Sequence, residues 1–242
     1  MHHATRRWVG ATALAATALL TLPTLPATAA GPTATIQVPS GFVAALSDTR
    51  ATGHYEVVGT GLHIRTEGAT STDKVAEYVA TATSLATAGE PNLEFTNTSG
   101  GGLPGAQLVV DFNNDGTADG ILVGEPTPYG NDWWASNGSQ QFVKDSAPSH
   151  TGGFGSANHG TLDNWRAAFP KAQVLAFGFS LGSGVKGDGT IDAINFAGTR
   201  YTFAADVILT SKEQCTKGGW ATSTQPRYSN QGDCVSHFAS GN

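Results

Sequence analysis

Cysteine is nearly absent from this chain, positive charge is scarce, and no apolar run beyond the first thirty residues is long enough to cross a bilayer. Each shortage excludes something. Taking Arg6 and Arg7 from the 13 basic residues leaves 11 in residues 31–242, against 19 acidic ones, a net charge of −8 for that part of the chain. With no Lys/Arg cluster, there is no electrostatic footprint for nucleic acid or for an anionic lipid surface. Lys and Glu are too few for long surface helices, while Gly, Ala and Thr are abundant, a mix that suits short strands and many turns. Leu, Ile, Val and Phe remain sufficient for a core, which excludes a disordered chain.

What is present begins with an address. Arg6 and Arg7 precede an apolar run from Trp8 to Leu22, and Ala27-Thr28-Ala29 supplies the small-x-small pattern of a signal peptidase site. Residues 1–30 therefore read as an export signal, which places the rest of the chain outside the cytoplasm as a secreted, extracellular protein with no transmembrane segment of its own. In that oxidising setting the only cysteines, Cys215 and Cys234, are expected to pair. A zinc site is the competing reading, but it needs four ligands and only His237 lies near.

From Ile36 onward the pattern is short strand, turn, short strand. Segments 53–58 and 62–66 alternate around Gly59-Thr60-Gly61 as a hairpin, Val75 to Ala80 is a strand or a short helix, and Leu93 to Thr96 alternates again. Gln107 to Phe112, Ile121 to Val123, Val174 to Phe179, Ile191 to Phe196 and Arg200 to Phe203 complete the strands, with a tight turn at Ala197-Gly198-Thr199. One helix is expected: Thr161 as N-cap, Asp163 in the first turn, Leu162, Trp165 and Phe169 on one face, and Pro170 as its stop. Thr96 to Gly105 reads as a Gly-rich loop and Tyr129 to Gly160 as a long irregular segment. The fold class is all-β, a jelly-roll-like β-sandwich over residues 31–209, followed by a disulfide-clamped tail over 210–242.

Four groups of residues could carry chemistry. The run Asp111-Phe112-Asn113-Asn114-Asp115-Gly116-Thr117-Ala118-Asp119 places oxygen-bearing side chains at its first, third, fifth and ninth positions and Gly at its sixth, the spacing of a calcium loop. Asp111, Asn113, Asp115 and Asp119 are the candidate ligands of a structural Ca²⁺. The twelfth position is Leu122 where a bidentate Glu is expected, with Glu125 as a distant substitute, and a plain polar turn on Asn114-Asp115-Gly116 is the alternative. Gly178-Phe179-Ser180-Leu181-Gly182 matches a nucleophile elbow, yet the Gly-rich continuation through Gly189 argues for a strand end rather than a catalytic serine. Tyr129, Trp133 and Trp134, with Asp132, combine rings that stack on sugar faces with a group that bonds hydroxyls. Glu56, Glu67, Glu94, Asp111 and Glu125 are candidates for a glycosidase pair, though nothing local distinguishes an acid from a nucleophile. His54 and His63 face the same way in the proposed hairpin and read as surface strand residues.

The Asp-rich run resembles the calcium loops of dockerins and of integrin-like surface repeats, which implies a structural ion. The tail, with Cys215, Gly218-Gly219-Trp220, Asn230-Gln231-Gly232 and Cys234, resembles a C-terminal segment of exported actinobacterial proteins. The body, at Gly178 to Val185 and at Gly124-Glu125 to Trp134, is similar to secreted proteins of that group with no assigned activity. These resemblances imply export and a tail disulfide and transfer no catalytic residue. The expectation is a secreted, non-catalytic protein that binds a glycan or another envelope component. A secreted hydrolase acting on glycans and a purely structural surface protein are the alternatives.

Overall fold

Twelve strands form the framework of the residues described by the computed structural model, which covers 31–152 and 156–240. The segment 1–30, read from the sequence as an export signal, lies outside the described residues. The strands are β1 (Thr33–Val38), β2 (His54–Val58), β3 (Gly61–Glu67), β4 (Lys74–Ser84), β5 (Asn92–Gly100), β6 (Gly105–Asp111), β7 (Gly120–Gly124), β8 (Asp132–Ala135), β9 (His159–Thr161), β10 (Gln173–Gly182), β11 (Lys186–Phe196) and β12 (Thr199–Ala205). They form two six-stranded sheets. One has the order β1-β12-β11-β3-β2, with β5 added along the other side of β11; the second has the order β4-β10-β6-β7-β8-β9. The all-β sandwich expected from the sequence is the architecture observed.

Alternation explains the first sheet. In β3, Leu62, Ile64 and Thr66 are buried while His63, Arg65 and Glu67 face outward, the period of two that a half-buried strand requires. The β2–β3 hairpin closes at Val58 opposite Gly61, and the β11–β12 hairpin closes at Phe196 opposite Thr199. Ala197 and Gly198 both have positive φ, so a tight two-residue loop joins the latter pair. Between the sheets, Phe177 of β10 stacks on Phe196 of β11 at 4.4 Å and lies 4.8 Å from Tyr201 of β12. Outward-facing His63 bridges Glu56 and Asp188 at 3.2 and 2.9 Å, and His54 shares that face, as surface strand residues.

Strand β10 is buried on both faces. Phe177, Phe179 and Leu181 join the main core, while Ala176 packs with Ala76, Tyr78 and Val109 in a second, smaller cluster covered by Leu46. The segment that carries Leu46 bonds along the free side of β4, through Val43 to Tyr78, Asp48 to Ala76 and Arg50 to Lys74, so that edge is closed.

The expected helix is α3 (Leu162–Ala168), which follows α1 (Pro126–Tyr129) and α2 (Gln141–Ser146) and precedes α4 (Gln231–Ala239). Thr161 and Asn164 form a reciprocal capping box at the start of α3, and Leu162, Trp165 and Phe169 are buried. The other three helices escape a periodicity search because α1 and α2 are shorter than two turns and α4 packs only against the tail. Two further boundaries differ from expectation. Strand β5 runs on through Gly100, whose Cβ equivalent would meet the Lys186 carbonyl at 2.7 Å, so the glycine is a pairing device and not a loop marker. The segment from 129 to 160 contains β8 and α2.

The tail has its own small core. Cys215 and Cys234 are disulfide-bonded with Cα atoms 5.8 Å apart, and with Leu209 they pack against Trp220, Tyr228, Val235 and Phe238. Asp206 anchors the preceding connection, accepting from Ser40 and Thr224.

At the start of β4, the Asp73 carboxylate accepts from the hydroxyls of Thr70 and Thr52 and from the Ala69 amide at 2.6–2.7 Å. These bonds favour the charged form and hold its pKa down to about 2 from the ordinary 3.8. A depressed acid contributes stability that is complete above its unfolded pKa and is lost as pH falls through the folded one. The protein should therefore lose stability between about pH 4 and pH 2. Asp73→Asn should be less stable at neutral pH and lose less over that window, as read by thermal melts across the acid range.

Candidate binding groove

The walls of the principal groove come from segments far apart in sequence. One side is β5, with Leu93, Phe95 and Asn97; the other is the turn after β7, with Glu125, Pro126, Asn131, Asp132 and Trp133. Gly101 to Pro104 and Val185 close one end and Thr161 to Asp163 the other, around a volume of about 1180 Å³. Glycines let these walls approach. A Cβ on Gly124 would sit 2.9 Å from the Trp133 ring, and one on Gly105 would sit 2.8 Å from Cγ of Glu125. Pro126 begins α1 directly after Glu125, a position where its missing N–H costs nothing, and turns the chain back toward β8.

Because Trp133 and Trp134 are consecutive on β8, they point to opposite faces. Trp133 is 5% exposed and belongs to the core, its edge reaching the groove and its carbonyl accepting from the Trp165 indole at 2.9 Å. Trp134 is half-buried on the other face, stacked on Tyr129 at 6.1 Å, with its indole N–H donated to Glu125 at 2.9 Å. The candidate aromatics thus do not form one platform. Asp132 and Trp133 line the groove, whereas Tyr129 and Trp134 brace its wall from behind.

Asp132 is the hub of that brace. Its Oδ2 accepts from Nδ1 of both His150 and His159, each at 2.9 Å. His159 is buried beside the Tyr129 ring at 5.3 Å, and its Nε2 has no hydrogen-bond partner among the described residues. Nothing in the local sequence flagged these histidines, which lie 18 and 27 residues from Asp132 and meet it only through the β8–β9 pairing and the loop before β9. The β5 wall was equally hidden, since Phe95 and Asn97 carry no motif.

The Asp111–Asp119 loop is ordered by hydrogen bonds from its own backbone. Asp111 accepts from the amides of Asn114, Asp115 and Gly116, and Asp119 from those of Phe112 and Asn113. Asp115 accepts from the Thr117 amide, and that bond, followed by one from the Asn113 side chain, lowers its pKa. Asn114 and Gly116 adopt positive φ to close the turn. The residue types suit calcium, but among the described residues no three His, Cys, Asp or Glu side chains converge so as to hold a metal. In this conformation the acidic run is a carboxylate-braced turn.

Other candidates separate. Ser180 lies inside β10, buried, and the strand continues through Gly182 into a turn, so the helix that an elbow needs does not follow. Its flanking glycines have structural causes: a Cβ on Gly178 would clash with the Glu77 carbonyl at 2.0 Å, and Gly182 has φ +118. Of the five carboxylates considered for glycoside hydrolysis, Glu125 alone lines the groove. Glu56 contacts His63, Glu67 pairs with Arg65, and Glu94 with Arg200, which together with the Asn195 amide lowers the Glu94 pKa. Comparison with protein-family models, curated proteins and solved structures returns no match.

Two outcomes follow from these contacts. Because Asp111 binds backbone amides, Asp111→Ala should cost on the order of 2–4 kcal/mol. Denaturant titration should find that loss as large in chelator as in millimolar calcium; a loss confined to calcium buffer would make the ion the organiser of the loop. Trp133→Ala should cost about 3–5 kcal/mol by opening a core cavity, and Trp134→Ala distinctly less, measured in the same way.

Proposed function

We propose that this is an exported, non-catalytic β-sandwich protein whose groove binds an extended glycan, free or in a cell envelope. The observation that carries the reading is the groove itself: open, built on rigid strands, and mixed in chemistry. Leu93, Phe95, Leu103 and the edge of Trp133 offer apolar surface for the C–H faces of sugar rings. Asn92, Asn97 and Asn131 each offer a donor and an acceptor, the pairing that hydroxyl groups demand. The leader-like segment 1–30, the tail disulfide and the tail's resemblance to exported actinobacterial segments support an extracellular setting. The Asp111–Asp119 loop enters this reading as a braced turn, and Ser180 takes no part in it.

Affinity electrophoresis or calorimetry against a panel of soluble polysaccharides tests the proposal. Leu103 and Asn97 are exposed and line the groove, so Leu103→Ala and Asn97→Ala should each weaken capture roughly fivefold, about 1 kcal/mol, without moving the melting temperature. Failure of every polysaccharide to bind would overturn the glycan reading.

A further inference from the structure

We infer, resting on the glycan reading of this groove, that its ligand is a polymer of amino sugars carrying protonated amines, and that neutral and acidic chains are selected against. The lining is one-sided in charge. Glu90, Glu125 and Asp163 border the groove, Asp132 lines it with its carboxylate turned to two histidines, and none of the lining residues is Lys, Arg or His. The basic side chain that meets this acidic border, Arg166, is directed away from the space: it donates to the carbonyls of Leu85 and Gly89 while pairing with Glu90 and Asp163. One guanidinium shared between two carboxylates leaves that end of the groove negative. Those two carboxylates are 72% and 85% exposed, so they stand at the rim where a ligand passes.

At the other wall, Glu125 is fixed by the Trp134 indole and Asp132 by two imidazole N–H groups. An indole N–H orients a carboxylate without cancelling its charge. The negative groups are therefore held in place on both sides of the apolar strip formed by Leu93, Phe95 and Trp133. An amino sugar matches this arrangement with a C–H face for the strip, hydroxyls for the asparagine amides and an ammonium for the carboxylates. A uronic acid polymer would meet the carboxylates of Glu90, Glu125 and Asp163 with its own. A lysine-rich peptide shares only the charge and leaves the amide and ring contacts unused.

Calorimetry of the exported chain in mildly acidic, low-salt buffer decides between these. The probes are soluble oligomers of glucosamine, the matching N-acetylglucosamine oligomers, an oligouronate and a lysine oligomer. The glucosamine oligomer should bind about tenfold more tightly than its N-acetylated counterpart, and added salt should erase most of that margin as the charges are screened. The double variant Glu90→Gln, Glu125→Gln keeps the shape of both side chains and the acceptor for Trp134; it should shrink the margin between the two oligomers to about twofold or less, and a margin left at tenfold would overturn the inference. Equal affinity for the two oligomers would overturn the charge selection and leave the glycan groove standing. Binding of neither oligomer would overturn both. Lysine-oligomer binding as tight as that of the glucosamine chain would replace this ligand with a basic peptide, and preferential oligouronate binding would also overturn the inference.

Discussion

The apolar layer between the two sheets is the contact on which everything else rests. Phe177 against Phe196 and Tyr201 joins the middle strands of opposite sheets, and Phe179, Leu62, Ile64 and Ile191 continue the layer on either side. Such a layer stabilises in proportion to the apolar area it removes from water and has no directional preference of its own. Direction comes from the hairpins and from the glycines that let backbones approach. Where the layer ends, beside β5 and the β7–β8 turn, the two sheets no longer cover one another fully. The groove is the space left there, lined by the last apolar side chains and the first polar ones.

That origin accounts for the character of the site. Strands supply much of its walls, so the positions of Asn97, Asp132 and Trp133 follow from pairing registers. Its polar groups are braced from behind, Glu125 by Trp134 and Asp132 by two histidines. Fixed polar groups beside apolar surface lower the ordering cost of any binding there.

Much of the sandwich was legible in the sequence because alternation, turn residues and capping are local signals. The β2–β3 hairpin, the Ala197-Gly198 turn and the Thr161 cap of α3 all follow from neighbours within a few positions. Strand β5 was read short because Thr96 to Ser99 are all polar, and an edge strand facing solvent has no apolar face to announce it. The site was far less legible. Asp132 and Trp133 were found because aromatic and carboxylate groups cluster in one stretch, and consecutive tryptophans on a strand must divide between two faces. Phe95, Leu103, His150 and His159 carry no local signal, since what gives them meaning is the pairing of β5 with β11 and of β8 with β9. The Asp-rich run is a strong local pattern, and the fold uses Asp111 and Asp119 to accept from the loop's own amides.

Arg166 also sets a mechanical property of the molecule. Its guanidinium ties α3 to the Leu85–Glu90 turn through two carbonyls and two carboxylates, so it acts as a strut across one end of the groove. The opposite end, at Leu103 and Val185, is tied through backbone: the Gly102 amide donates to the Lys186 carbonyl at 2.9 Å and the Thr66 hydroxyl to the Val185 carbonyl at 2.7 Å. Both ends of the aperture are thus held, one by a side-chain strut and the other by backbone bonds. The spacing between Glu90 and Asp163 is therefore set by the fold and not by what enters the groove.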